Sequence, residues 1–147
     1  MNDETKSQLA ELRAKRAEIE ARRAARSDED ELAVETRALE EEQAIDAAEV
    51  EYGAVGRGIG FVRMPTGLLI VKRPPSSLWR KYADGQSRDN GPSATEGGLA
   101  LVKGCAVYPK EKDRVAALLD EYPAALANLV KICAKLAGHR NDEEGKG

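Results

Sequence analysis

The stretch Ile59-Gly60-Phe61-Val62-Arg63-Met64-Pro65-Thr66-Gly67-Leu68-Leu69-Ile70-Val71 decides how this chain folds. Two β-prone apolar runs, residues 59–63 and 68–73, flank Met64-Pro65-Thr66-Gly67, where Pro at the second turn position and Gly at the fourth favour a type I turn. The pattern predicts a β-hairpin. Pro74-Pro75 ends the second strand, because proline has no backbone N–H for a ladder. Ser76 or Ser77 is expected to cap a short helix, whose Leu78, Trp79 and Tyr82 turn back onto the sheet.

Downstream, residues 84–98 hold four glycines and one proline and read as an exposed loop. Residues 99–107 read as helix at the start and strand at the end, with Gly104 the weak point and Tyr108-Pro109 the close. Residues 110–121 make an amphipathic helix through Val115, Leu118 and Leu119. Pro123 opens another, since Pro fits a first helical turn. Leu126, Leu129, Ile132, Cys133 and Leu136 form its apolar face, and Gly138 is its stop. Residues 139–147 read as a charged, disordered tail.

Upstream, residues 5–26 lack Gly and Pro and are rich in strong helix formers. Leu9, Leu12 and Ile19 share one face, and Glu11–Lys15 and Glu18–Arg22 are favourable pairs. Ser27 can cap a second helix over residues 28–50, whose sparse apolar face holds Leu32, Leu39 and Ile45 and which Gly53 stops. Two geometries fit: one helix of about 45 residues, roughly 68 Å long, or a hairpin folded at Ser27. Arg16, Arg23 and Arg26 fall where a heptad wants apolar residues, so the seam is too thin for an isolated two-stranded coil. Residues 53–60 read as a flexible joint. The expected class is α+β: a charged helical arm or hairpin over 1–52, then a small domain with a β-hairpin and a C-terminal helical pair over 53–138.

Charge is segregated beneath a net −3: residues 1–26 carry +2, residues 27–51 carry −10 and the remainder +5. The acidic block would repel a phosphate backbone, and the basic residues are dispersed, which argues against nucleic acid. No apolar run is long enough for a membrane span or a signal-peptide core, so no membrane is expected and a soluble intracellular chain is. Cys105 and Cys133 lie in apolar patterns without a CxxC, which predicts two reduced, buried thiols rather than a disulfide or metal site.

No catalytic constellation emerges. Gly56-Arg57-Gly58-Ile59-Gly60 follows a helix and opens a strand, the reverse of a dinucleotide-binding loop. His139 is the only histidine and sits beyond a helix end, while Ser76 and Ser77 have no evident base. No catalytic residue, cofactor or metal is therefore expected. Trp79 with Arg73, Arg80 and Tyr82 could stack single-stranded nucleic acid, but a lone Trp in an aromatic-poor domain reads better as a core anchor, with Arg80 and Lys81 outward.

The order of features over residues 58–138 carries a resemblance. A charged helical N-terminus is followed by a strand pair leading into Arg73-Pro74 and Trp79-Arg80-Lys81-Tyr82. Then come Leu101-Val102-Lys103-Gly104-Cys105-Ala106-Val107-Tyr108-Pro109, Leu119-Asp120-Glu121-Tyr122-Pro123 and Leu136-Ala137-Gly138. This succession resembles the tail assembly chaperones of long-tailed bacteriophages, although the long N-terminal helical region departs from their shortest members. The resemblance implies a non-catalytic protein of the bacterial host cytoplasm, absent from the mature virion, that keeps the tape measure protein soluble and recruits tail tube subunits. Homo-oligomerisation is compatible with it. A chaperone for an amphipathic helix needs apolar grooves, so Val115, Leu118, Leu119, Leu126, Leu129 and Ile132 become the candidate contact residues. The alternative is a structural virion or scaffold protein that oligomerises through its N-terminal helices.

Overall fold

The computed structural model describes residues 2–138; the expected tail, with His139, lies outside them. Helix α1, Asp3–Tyr52, runs unbroken for 50 residues. Asn2 Oδ1 accepts the Thr5 N–H at 2.8 Å and caps its start. The hairpin alternative is thus not adopted. Ser27-Asp28-Glu29-Asp30 stays helical because it holds neither Gly nor Pro, and each of its residues costs less than about 1 kcal/mol inside a helix. The chain divides into two compact units between Glu42 and Gln43. In the first, every residue from Ala10 to Arg37 is exposed.

The second unit takes in the last turns of α1 and is built on the hairpin. Strands β1 (Ile59–Met64) and β2 (Gly67–Lys72) pair antiparallel with Met64 opposite Gly67, leaving Pro65-Thr66 as the turn. Among the described residues no non-glycine has a positive φ, which excludes the primed turns and agrees with the type I expectation. A third strand, β3 (Ala106–Tyr108), adds to β2 through a bulge between Ile70 and Val71 and makes the order β1-β2-β3.

Leu68, Leu69, Ile70 and Val71 are all within 1% of full burial, so the central strand is covered on both faces. Leu69 and Val71 pack with Met64 and Val62 into the main core, beneath the C-terminal helices. Leu68 and Ile70 face the other way, with Ile59 and Phe61, and are covered by Ala44, Ile45 and Ala48 of α1. Strand alternation sorts these side chains.

Four helices complete the unit: α2 (Ser76–Ser87), α3 (Ala94–Cys105), α4 (Lys112–Glu121) and α5 (Pro123–Leu136). The exposed loop expected over 84–98 is largely helical instead. Ser93 Oγ accepts the Glu96 N–H at 3.1 Å and starts α3 earlier than Leu99, and Gly97 and Gly98 are buried within it. A Cβ on Gly98 would lie 3.0 Å from Val130 Cγ2, so glycine is there for close packing of α3 on α5 rather than for a turn. Neither Ser76 nor Ser77 caps α2; Pro75 occupies the cap position with no side-chain hydrogen bond. The half-buried Leu78 and Tyr82 of α2 meet Gly104 and Gly97 of α3, and with Trp79 they pack against the main core that α3 shares with the sheet.

The joint expected over 53–60 is a hydrogen-bonded turn. Ala54 O accepts the N–H groups of Arg57 and Gly58 at 3.0 and 2.8 Å, Gly53 takes φ +114°, and a Cβ on Gly58 would collide with the Tyr52 carbonyl. Four of the six candidate contact residues on α4 and α5 are covered within the unit itself. Val115, Leu118, Leu119 and Leu129 are at most 4% exposed, because the sheet and α3 supply cover that the helical pair alone would lack.

Ile132 lies against Gly60, where a Cβ would overlap its Cγ2. Gly60→Ala is expected to cost about 1–3 kcal/mol in urea unfolding, and Ile132→Ala in the same chain should recover part of that loss. Leu129→Ala should cost about 2–5 kcal/mol, whereas Leu12→Ala, on the exposed helix, should stay within about 0.5 kcal/mol.

Candidate partner-binding site

Helix α3 has a groove on each side. The first, of about 680 Å³, lies between α3, α4 and the start of α5. Leu99, Leu119 and Leu126 give it apolar walls, Ala116, Ala117 and Pro123 keep it shallow, and Lys103, Asp113 and Asp120 bring charge to it. Lys112 Nζ donates to the Lys103 carbonyl at 2.8 Å, which ties the end of α3 to the start of α4. The second groove, of about 730 Å³, lies between α2 and α3 and carries Arg80, Lys81 and Arg88 beside Leu78, Tyr82 and Leu101.

Of the six candidate contact residues, Leu119 and Leu126 line the first groove. Ile132 borders a smaller recess of about 230 Å³ beside Phe61 and Leu136. Val115, Leu118 and Leu129 are core residues. Leu99 is not among the six: the sequence puts it at the very start of a helical run, and only the earlier start of α3 at Ser93 sets it a turn inside a helix that meets α4 and α5. Trp79 packs against the main core with its ring 5.3 Å from that of Tyr82, the anchor role expected of it, and Arg80 and Lys81 are exposed. The Gly56–Gly60 run carries no helix N-terminus that could receive a phosphate.

Cys105 and Cys133, distant in sequence, meet where α3 packs on α5, and both are free and fully buried. The two thiols are hydrogen-bond partners. That hydrogen bond lowers the Cys105 pKa against the opposing effect of burial, with help from Lys72 and Lys112. The same bond, together with burial and the nearby Cys105 charge, raises the Cys133 pKa far above its ordinary value. Of the two thiols, Cys105 is therefore the first to lose its proton. Among the described residues no group of three or more His, Cys, Asp or Glu side chains is placed to hold a metal, and no helix is long and apolar enough to cross a membrane.

No family model, curated protein or solved structure matches this chain. The two grooves combine apolar walls, small side chains that admit a close approach, and charges at the edge.

Because both thiols are shut away from solvent, neither should react with a disulfide reagent in the folded protein, while the unfolded chain should titrate both. Rapid native labelling of either cysteine would contradict the packing of α3 on α5.

Proposed function

We propose that this protein is a non-catalytic tail assembly chaperone of a long-tailed bacteriophage, which binds the helical tape measure protein and recruits tail tube subunits. The observation that carries the reading is the α3–α4–α5 groove. An amphipathic helix about 10 Å across can lay apolar anchors against Leu99, Leu119 and Leu126, and the alanines on α4 allow its backbone to come close. Lys103, Asp113 and Asp120 offer charges of both signs to its polar flanks, which fixes orientation more than affinity. The order of sequence features over residues 58–138 supports the same reading, with the bacterial host cytoplasm as the place of action and absence from the mature virion as its corollary.

The test is co-purification from cells that express the complete tail gene set. Tagged protein should recover the tape measure protein and tube subunits before particles assemble, and finished particles should lack it. Ala117→Glu, at an exposed groove position, should lower recovery of the tape measure protein about tenfold or more, equivalent to about 1.4 kcal/mol, with an unchanged far-UV circular dichroism spectrum. Val50→Ala, 83% exposed on α1, should leave recovery as it is. Persistence of the chain in purified particles at fixed copy number would replace this reading with a structural one.

A further inference from the structure

We propose that the acidic stretch of α1, residues 28–42, docks from one copy of the protein into the α2–α3 groove of a second copy. The two surfaces are complementary in charge, and each carries apolar side chains. Leu32 and Leu39 are 67% and 56% exposed and stand seven residues apart, two helical turns, so they share one face about 10 Å apart. Around them the stretch holds seven exposed acidic residues, with Glu41 buried, and one basic residue, Arg37. Carboxylates this dense repel one another along a helix, and cations brought beside them relieve that repulsion.

The α2–α3 groove offers such cations beside apolar side chains. Its apolar floor is Leu78, Tyr82 and Leu101, and its volume of about 730 Å³ is enough for leucine side chains. Arg80, Lys81 and Arg88 outnumber Asp84 at its edge, and all four are exposed. A helix laid into a groove by two leucines, with carboxylates over guanidinium and ammonium groups, is a recurrent recognition mode. Each chain carries both the helix and the groove, so a two-fold pair of copies exchanges two identical contacts and leaves neither surface open. This surface is separate from the α3–α4–α5 groove, so it stands or falls independently of the chaperone reading.

Sedimentation equilibrium of the full chain at low ionic strength should show a dimer that dissociates in 0.5 M salt, an expectation from screening of exposed charges. The pair Leu32→Lys and Leu39→Lys in one chain should abolish dimerisation, as should Arg80→Glu with Arg88→Glu in another. Leu12→Lys, equally exposed on α1 but outside the acidic stretch, should not. Mixing the two non-dimerising variants is the deciding measurement, since one retains an intact groove and the other an intact helix. A restored one-to-one heterodimer, with weaker affinity than the wild type, is expected. A wild-type chain that stays monomeric at about 100 μM, where a complex of ordinary micromolar affinity would form, would overturn the proposal. So would a dimer that survives in either variant, or a mixture that stays monomeric.

Discussion

Burial of β2 on both faces is the constraint from which the second unit follows. A strand with Leu68, Leu69, Ile70 and Val71 in succession has no face to give to water. Both sides must be covered, and a chain this short has few elements to do so. The C-terminal helices take the side of Leu69 and Val71, and the last turns of α1 take that of Leu68 and Ile70. Removing apolar surface on this scale from water contributes about 25 cal/mol per Å², so the position of every covering helix is tied to that one strand.

Close approach is the second consequence. Small residues stand where elements meet: Gly60 under Ile132, Gly98 against Val130, Gly104 under Leu78. Each would be an ordinary loop residue by composition, yet each lies in a strand or a helix here. Their entropic cost inside regular structure, about 1 kcal/mol per helical glycine, is offset by the packing they allow. Helix α3, held between α2 on one side and α4 and α5 on the other, becomes the partition between the two grooves. The arrangement of the core and the arrangement of the grooves are therefore one fact.

The first unit obeys a different economy. With Leu12, Ile19, Leu32, Val34 and Leu39 all at least 47% exposed, residues 3–42 gain little from tertiary burial and depend on helix propensity and local pairs such as Arg22–Glu18, 3.5 Å apart. An exposed pair of this kind contributes only a few tenths of a kcal/mol.

The α+β class, the hairpin with its Pro65-Thr66 turn, and the Pro123 helix start were legible in the residues, because turn chemistry and apolar periodicity are local properties. So was the packing of half-buried Trp79 against the core, which follows from how few aromatics the chain has. Whether α1 would fold back at Ser27 was undecidable locally: Ser and Asp serve equally as caps and as tolerated helix residues, and the unbroken helix is the outcome. Tertiary structure alone decided that Gly97 and Gly98 belong to a helix, since their value lies in what packs against them and not in their own conformational freedom. It alone joined Cys105 to Cys133. It also divided the candidate contact residues, placing Leu119 and Leu126 at a groove and Val115, Leu118 and Leu129 in the core, because periodicity identifies an apolar face while only the packed partners determine how much of that face they cover.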